Sequence, residues 1–436
     1  MLSTYHIWTI GCQMNAADSR AVADALEARG LRPVAAPADA DLILLNTCVV
    51  RASAENKALG RLSSLRPLKA RRPDLILAVM GCLVGADDAE LRRQFPYVDL
   101  FLRPSHPEPL LALLDSQPAC GRRPLHDLPP SPVAAFVPIS YGCDHACTYC
   151  IVRLRRGPQQ SRPIADVVSE VAGLVARGAR DVTLLGQNVD AYGRDLASRP
   201  DLADLLAAVH DTPGLLRLRF LTSHPSDMSE RIIETAARLP RVCRHIELPV
   251  QAGSDAVLRR MGRGYSAAQY LDLVERIRAA MPDVSLGTDV IVGFCGESDA
   301  DYTATRALIE LVRFDVVHIA AYSARAGTPA ERLADDVPPA VKEARRKDLE
   351  ALQTRIAGEI NAALLGQTVE VLVEGHALKG SPRGGRQEGR WYGRTPHMKL
   401  VYFADAGEDD LTGRLVPVRI TWAGPWSLIG ESKRAQ

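Results

Sequence analysis

The sequence predicts an α/β protein made of an open parallel sheet with helices (1–118), a partial (βα)6 barrel (134–365) and a small antiparallel β-barrel (366–432). In the first two parts, short apolar runs alternate with amphipathic stretches, which is the pattern of parallel strands covered by helices. The third part has short runs of β-branched and aromatic residues separated by Gly, Pro and Asp, which is typical of a small barrel. A proline-rich stretch without periodicity, 119–133, is predicted to link the first two parts.

The first part contains three predicted strands, each followed by an Ala-rich amphipathic stretch. The strands are Tyr5–Ile10, Leu42–Leu45 and Leu75–Val79. The helices are Ala16–Arg29, Ala54–Ser64 and Ala86–Gln94. In an open parallel sheet built this way, the carboxyl ends of the strands line one crevice, which is where ligands bind.

The middle part repeats the alternation six times, so we expect a barrel that stops short of the usual eight units. Its strands are predicted at Ala135–Ser140, Asp181–Leu185, Arg217–Thr222, His245–Val250, Ser285–Val292 and Val316–Tyr322. Helical stretches between them include Ala165–Arg177, Ser266–Ala280 and Ala300–Val312, and a long charged helix, Ala340–Leu365, follows the last strand. The strands of the third part are predicted at TVEVLVEG, RWYGR, KLVYFA, LVPVRITWA and SLIG.

Composition restricts the classes of function. With 436 residues, of which 47% are hydrophobic and 24% charged, the chain can bury several cores and is not disordered. The net charge of +1 means that any nucleic-acid surface is a local patch. No apolar run approaches the roughly 20 residues of a membrane helix, and no secretory leader opens the sequence, so we expect a cytoplasmic monomer. Nine cysteines, an odd number, then favour metal ligation or buried thiols over a disulfide framework.

Three cysteines lie on one short loop after the first strand of the middle part. Cys143, Cys147 and Cys150 have the spacing C-x3-C-x2-C. Three thiolates can each bind one iron of a [4Fe–4S] cluster, which leaves the fourth iron open for chemistry. The position at the carboxyl-terminal mouth of a βα barrel also favours catalysis. The alternative is a structural zinc ion with His145 as its fourth ligand.

A second group of cysteines is dispersed through the first part. Cys12, Cys48 and Cys82 each follow an apolar run directly, in IWTIGC, LILLNTC and LILAVMGC. Each thiol is therefore expected at the carboxyl end of a different parallel strand, and Gly11 and Gly81 allow the backbone to turn sharply there. We infer a second cluster site, with buried packing cysteines as the alternative. No function is assigned to the remaining three cysteines, Cys120, Cys243 and Cys295.

Two three-cysteine sites in this order, followed by a small barrel, resemble the radical S-adenosylmethionine methylthiotransferase family. The resemblance extends over nearly the whole chain. It is carried by GCQMN (Gly11–Asn15), NTC, MGC, LLGQNVDAYG, HIELPVQAGSD, TDVIVGF and YSARAGTPA. It implies that Tyr149, Gln187 and Asp289 bind S-adenosylmethionine, with Tyr149 against the adenine. The chain departs from the family pattern at Gln159, Glu247 and Cys295.

The resemblance also implies an activity: methylthiolation of carbon 2 of N6-isopentenyladenosine at position 37 of tRNA. The cofactors would be two [4Fe–4S] clusters and two S-adenosylmethionine molecules, one cleaved to a radical and one giving the methyl group. The loop cysteines would hold the radical-generating cluster, and the dispersed cysteines would hold the sulfur to be inserted. Implied partners are the anticodon stem-loop, an electron donor such as a flavodoxin or ferredoxin, and a sulfur and cluster supply system.

Other functions stay open at this point. Relatives within the family act on threonylcarbamoyl-adenosine or on a ribosomal-protein aspartate. An iron–sulfur electron carrier would have two clusters but no need for a barrel and a basic module. An RNA-binding protein with structural metal ions would explain the third part alone.

The third part carries basic and aromatic residues that suit single-stranded RNA, since cations pair with phosphates and aromatic rings stack on bases. Candidate phosphate contacts are Arg390, Arg394 and Lys399, next to Trp391 and Tyr392. GRTPHMK followed by a strand resembles a TRAM-type tRNA-binding barrel; a solvated charged hairpin is the alternative. A further basic group, which we expect to steer the anticodon stem, follows the cysteine loop at Arg153, Arg155, Arg156 and Arg162.

Overall fold

The computed structural model describes residues 2–49, 52–85, 87–116, 128–377, 387 and 389–433. Cys120 and most of the predicted linker lie outside these ranges. None of the helices within them is long and apolar enough to cross a membrane.

The first part is a five-stranded parallel sheet in the order β2-β1-β3-β4-β5. Its strands are β1 (Thr4–Thr9), β2 (Arg32–Pro33), β3 (Leu42–Thr47), β4 (Ile76–Gly81) and β5 (Leu100–Leu102). Its helices are α1 (Gln13–Glu27), α2 (Ala52–Arg71), α3 (Ala89–Gln94) and α4 (Glu108–Asp115). Side chains of β3 point alternately into two apolar layers, Ile43 and Leu45 into one and Leu42 and Leu44 into the other. Helices cover both faces, so this central strand is apolar almost throughout.

The middle part contains the six predicted barrel strands and a short ribbon. Its strands are β6 (Ala134–Pro138), β7 (Ser140–Tyr141), β8 (Gln160–Ser161), β9 (Asp181–Leu185), β10 (Arg217–Phe220), β11 (His245–Glu247), β12 (Ser285–Val292) and β13 (Val316–Ala321). The helices are α5 (Val152–Arg156), α6 (Ile164–Ala176), α7 (Leu202–His210), α8 (Glu230–Arg238), α9 (Asp255–Met261), α10 (Ala267–Ala280), α11 (Asp299–Val312) and α12 (Pro339–Ala362). Parallel sheets β6-β9-β10 and β11-β12-β13 share one apolar core. The predicted partial (βα)6 barrel is confirmed.

The third part is a closed barrel in the order β14-β15-β16-β18-β17. Its strands are β14 (Thr368–His376), β15 (Trp391–Arg394), β16 (Leu400–Ala404), β17 (Leu415–Ala423) and β18 (Leu428–Ser432). The five predicted strands are confirmed, but the barrel is not antiparallel throughout, because β16 and β18 pair in parallel. The hairpin of β17 and β18 returns the chain beside β16 in the direction that β16 already has, and this closes the barrel.

Helix α1 joins the first part to the mouth of the barrel. Met14 and Ala17, in its first turns, pack against Leu185 and Leu221. Leu185 ends β9 and Leu221 directly follows β10, so both lie at carboxyl-terminal strand ends. Because βα barrels carry their active sites at that end, this packing brings Cys12, just before α1, towards the mouth.

Candidate metal centres and cofactor site

The dispersed trio, Cys12, Cys48 and Cys82, converges at the carboxyl end of the parallel sheet. The three residues follow the neighbouring strands β1, β3 and β4, as their spacing predicted. Cys48 and Cys82 are buried and Cys12 is exposed. Burial raises the pKa of the Cys82 thiol, and the charge of Cys12 raises it further, while the nearby cation of Arg156 opposes the rise. Thiolates are soft ligands that suit iron–sulfur clusters, so three cysteines gathered in this way form a candidate cluster site.

Side chains from two of the cysteine motifs tie the three loops together. The Asn15 amide donates to Oδ1 of Asn46 at 2.9 Å and to the carbonyl of Thr47 at 3.0 Å, and the Asn46 amide donates back to the Asn15 carbonyl at 2.8 Å. The Thr47 hydroxyl donates to the carbonyl of Met80 at 2.8 Å, and the backbone N–H of Cys82 donates to the carbonyl of Thr47 at 2.9 Å. Both asparagines are fully buried, so these bonds hold the loops in a fixed relation. Sequence reasoning quoted Asn15 and Asn46 only as motif letters and missed this role.

The two glycines before the cysteines act differently. Gly81 has a φ of +105°, and a Cβ there would lie 2.3 Å from the carbonyl oxygen of Thr47, so the expected sharp turn is confirmed. Gly11 does not have a positive φ. Its lack of a side chain instead permits close approach, because a Cβ there would lie 2.9 Å from Cβ of Cys48.

The loop trio, Cys143, Cys147 and Cys150, is pinned to the barrel through Thr148. The backbone N–H of Thr148 donates to the carbonyl of Met261 at 2.9 Å, and its hydroxyl donates to the carbonyl of Arg260 at 2.8 Å. Burial raises the pKa of Cys150 to about 11, and the charges of Cys147 and Cys143 raise it further. Burial also raises the pKa of Cys143, with a contribution from Cys147. The thiols of this loop are therefore close enough to affect one another's charge. Because burial and mutual repulsion disfavour their thiolate forms, nearby cations are needed to stabilise them.

The geometry does not support a single zinc ion at either trio. A Zn–S bond of about 2.3 Å in a tetrahedral site places sulfurs about 3.8 Å apart. Among the described residues, the one group whose ligand atoms all lie within 4.8 Å of one another is His145, His224 and Asp227, which contains no cysteine. Nε2 of His145 is 2.6 Å from Oδ2 of Asp227, and the His145 ring stacks on His224 at 3.7 Å. The imidazole that the zinc alternative required thus has other partners.

A buried arginine accompanies the loop trio. Nη1 of Arg263 lies 3.5 Å from Sγ of Cys147 and 3.5 Å from the hydroxyl of Tyr149, and Nη2 donates to the carbonyl of Pro249 at 2.8 Å. The Tyr149 ring packs edge-on against Phe294. Sequence reasoning singled out Tyr149 and missed Arg263, for which the chain offered no spacing signal.

The other two expected cofactor ligands lie on the same barrel. Gln187 is two residues beyond the end of β9, at the carboxyl-terminal mouth, and Asp289 lies inside β12. Both are partly exposed. The structure thus brings Tyr149 to the thiols, places Gln187 just after strand β9 and places Asp289 within strand β12.

The three departures from the family pattern have identifiable partners. The Gln159 amide donates to the carbonyl of Ala191 at 2.6 Å. The Glu247 carboxylate accepts a hydrogen bond from Nε2 of His245 at 3.2 Å. Cys295 is buried in an apolar cluster with Phe294 and Tyr322.

The proposed RNA contacts of the third part differ in their surroundings. Arg394 pairs with Glu374 of its own barrel. The Lys399 ammonium lies 2.5 Å from Oδ1 of Asp315, and each side chain is 12% exposed. Arg390 is half-buried, directly before β15. Further basic residues of this region, Lys379, Arg383 and Arg386, lie outside the described residues.

The segment 394–399 packs against the βα barrel near the amino-terminal ends of its strands. Arg219 of β10 donates to the carbonyls of Thr395 at 3.0 Å and Pro396 at 3.1 Å. Asp315, which pairs with Lys399, directly precedes β13. These contacts lie at the start of β13 and within the short β10. The loop trio lies near the opposite, carboxyl-terminal ends of the barrel strands. Arg217 of β10 also donates to the Arg394 carbonyl. Lys399 through its side chain and Arg394 through its backbone therefore contribute to an interface within the chain.

The basic group after the loop trio is also divided. Arg153 is exposed. The Arg156 side chain is only 3% exposed, so the expectation that it steers the anticodon stem is wrong for this residue. Arg162 pairs with Glu170 at 2.7 Å.

Comparison with known proteins agrees with this architecture. Residues 137–309 match the Radical SAM superfamily, 4–103 match the uncharacterized protein family UPF0004, and 362–433 match the TRAM domain. Among solved structures, the radical S-adenosylmethionine methyltransferase TsrM from Kitasatospora setae has a similar fold, with a TM-score of 0.55 and 15% identity over 76% of this chain and 77% of that one.

Curated relatives are similar over almost the whole length. The tRNA-2-methylthio-N(6)-dimethylallyladenosine synthase of Chloroflexus aurantiacus is 51% identical over 437 residues, covering 98% of this chain and 91% of the relative. The synthase of the same name from Roseiflexus sp. is 49% identical, covering 99% and 90%. That of Herpetosiphon aurantiacus is 46% identical and covers 98% of both. The chain therefore belongs to the tRNA-2-methylthio-N(6)-dimethylallyladenosine synthase family of tRNA methylthiotransferases.

Proposed function

We propose that this protein attaches a methylthio group to carbon 2 of N6-isopentenyladenosine at position 37 of tRNA. The observation that carries the proposal is the arrangement of two separate cysteine trios beside one barrel mouth, with α1 packed on the strand ends there. One trio suits generation of a radical and the other suits storage of the sulfur. An electron carrier would not need the barrel or the third part.

The loop trio would hold a [4Fe–4S] cluster with one iron open to S-adenosylmethionine. With both groups bound, they supply the radical chemistry that an unactivated C–H bond on adenine requires. The protein's contribution is binding and orientation. Tyr149, Gln187 and Asp289 are the proposed contacts to S-adenosylmethionine, and Arg263 holds a positive charge against Cys147.

The dispersed trio would hold the second [4Fe–4S] cluster, which anchors the sulfur that is inserted. The Asn15–Asn46 pair keeps the first two cysteine loops at a fixed spacing. The first turns of α1, through Met14 and Ala17, seal apolar surface against the barrel between the two sites. Rigid placement of two reacting partners is itself a large part of catalysis.

Recognition of tRNA is assigned to the third part. We propose domain limits at 1–118, 134–365 and 366–432, with 119–133 as linker. Arg390, Arg394 and Lys399 are its proposed phosphate contacts, with Arg390 first among them because the other two hold ion pairs within the chain. A flavodoxin or ferredoxin would supply electrons, and a separate system would supply sulfur and clusters. A monomer in the cytoplasm, where tRNA is modified, fits these partners.

A substrate assay tests the proposal. Anticodon stem-loops carrying isopentenyl-adenosine or threonylcarbamoyl-adenosine at position 37 are given to anaerobically reconstituted protein with reductant and S-adenosylmethionine. Mass spectrometry of the digested nucleosides should find the 2-methylthio product from the isopentenyl form alone. Turnover of the threonylcarbamoyl form, with none of the isopentenyl form, would contradict the proposed substrate.

A further inference from the structure

The short helix α5 connects the two cysteine trios. It begins two residues after Cys150, the last member of the loop trio, and it ends at Arg156. The Arg156 side chain leaves the barrel and enters the first part of the protein. There Nη1 donates to the Ser105 hydroxyl at 3.0 Å, and Nη2 lies 3.7 Å from Oδ2 of Asp18. The Ser105 hydroxyl donates to Oδ1 of Asp18 at 2.8 Å, which completes a buried triad of side chains.

The guanidinium of Arg156 lies close to the dispersed trio. The side chains of Cys82 and Cys12 are near enough to this guanidinium to interact with it electrostatically. The Arg156 cation therefore interacts with the dispersed trio, although its helix α5 directly follows the loop trio.

Two atoms of this triad have unused hydrogen-bonding capacity. Nη2 of Arg156 and Oδ2 of Asp18 are both buried, and neither has a hydrogen-bond partner in the described part of the chain. Both side chains are at most 3% exposed. Nη2 lies 3.7 Å from Asp18, which is an ion pair but too long for a hydrogen bond. A buried donor without an acceptor is unfavourable, so a guanidinium kept in this state near Cys82 and Cys12 indicates a further acceptor at that site. Sulfur atoms of a bound cluster are acceptors of the right kind.

We propose that Arg156 is a fixed counter-charge for the cluster at the dispersed trio and donates a hydrogen bond to one of its sulfurs. This inference rests on the proposed role of Cys12, Cys48 and Cys82. Thiolates and sulfide make such a cluster anionic, and its reduction adds further negative charge. A buried cation and a hydrogen bond to sulfur stabilise that charge, so Arg156 raises the reduction potential. Asp18 and Ser105 position the guanidinium.

The test isolates the second cluster within the full chain. The variant Cys143→Ala/Cys147→Ala/Cys150→Ala is reconstituted anaerobically with iron and sulfide, so that only the dispersed trio can hold a cluster. Its midpoint potential is measured by redox titration with electron paramagnetic resonance, alone and combined with Arg156→Gln, Arg156→Lys or Arg153→Gln. Arg156→Gln should shift the potential to more negative values. Arg156→Lys, which keeps the charge, should shift it less, and the exposed Arg153→Gln should leave it unchanged.

A second measurement does not compare potentials between variants of Arg156. In the same Cys143→Ala/Cys147→Ala/Cys150→Ala background, which removes the cluster next to Arg263, chain labelled with ¹⁵N only in the arginine guanidinium groups should show hyperfine coupling between the reduced cluster and a guanidinium nitrogen, and adding Arg156→Lys should remove it. Absence of that coupling would overturn the proposal. Equal potential shifts in the Gln and Lys variants would also overturn it, since they would reflect packing and not charge. If the background variant bound no cluster at all, the assignment of the dispersed trio would fail instead.

Discussion

The two cysteine trios are built in opposite ways. The loop trio lies within residues 143–150, and its spacing alone defines which thiols meet. The dispersed trio spans residues 12–82, and its thiols meet only because β1, β3 and β4 are neighbours in one sheet. A local loop can lose its ligands without disturbing the fold, whereas the dispersed site depends on sheet register and on the Asn15–Asn46 contact. The two sites should therefore respond differently to the same kind of change.

Removal of the loop trio should have the largest effect on activity. Cys143→Ala/Cys147→Ala/Cys150→Ala should abolish cleavage of S-adenosylmethionine, because no cluster remains to bind and reduce it. Iron content should fall from about eight to about four per chain, since each [4Fe–4S] cluster contributes four. The measurement is 5′-deoxyadenosine released with reductant, together with iron analysis. Cys243→Ala, at a buried cysteine outside both trios, is the control and should keep both.

Removal of the dispersed trio should separate the two halves of the reaction. Cys12→Ala/Cys48→Ala/Cys82→Ala should still release 5′-deoxyadenosine but form no 2-methylthio nucleoside, since the sulfur has no anchor. Chromatography of both products from one reaction would test this. A normal yield of methylthio nucleoside would show that the inserted sulfur is held elsewhere.

A substitution at Gly81, next to Cys82, should test whether the dispersed trio depends on the local backbone conformation. Gly81→Ala forces a side chain into a conformation with φ of +105° and against the Thr47 carbonyl, so it should cost about 1–3 kcal/mol or more. The control is Gly60→Ala on α2, where nothing lies within 4 Å of the added atom and a gain of about 0.5–1 kcal/mol is expected. Anaerobic denaturant unfolding of the apoprotein, with iron content after reconstitution, measures both. Unchanged stability in Gly81→Ala would mean that the loop adapts freely.

The smallest effects are expected in the third part. Arg390→Gln should weaken tRNA binding and reduce the slope of log affinity against log salt by about 0.7–0.9, the value for one phosphate contact. Lys399→Gln should reduce the slope less, because its ammonium is already paired with Asp315. Arg306→Gln on the outer helix α11 is the control. If Lys399→Gln reduced the slope as much as Arg390→Gln does, the Lys399–Asp315 ion pair would have to open when tRNA binds.

The sequence predicted the longer strands well, and it missed the strands that are only two or three residues long. β9 and β12 were predicted at their observed limits, because stretches of five and eight residues rich in Val, Ile, Leu and Thr are followed directly by a glycine in each case. The edge strands β2 and β5, with two and three residues, are too short to show a period. The parallel pairing of β16 and β18 could not be predicted either, since strand order in a barrel depends on contacts between distant segments.

At the candidate sites, the sequence predicted the proposed metal ligands but not the residues that surround and position them. The six cysteines stood out because each followed an apolar run or another cysteine. Asp18 and Arg156 have no such signal, since their contact joins positions that the fold alone brings together. Charge was similarly ambiguous: Arg156 and Lys399 both belong to basic stretches, and the structure pairs each with a carboxylate.

The hydrogen bonds that join the three loops of the dispersed trio have a consequence for assembly of the protein. They join side-chain and backbone groups of the protein through Asn15, Asn46 and Thr47. We therefore expect this pocket to form on folding and to receive its iron afterwards, unlike zinc fingers, whose metal drives folding. During iron shortage, newly made chains would persist as folded apoprotein. Among the cysteines that the structure describes, the exposed Cys12 would then be the thiol most accessible to oxidants, so delayed cluster delivery should appear among these residues first as oxidation of Cys12.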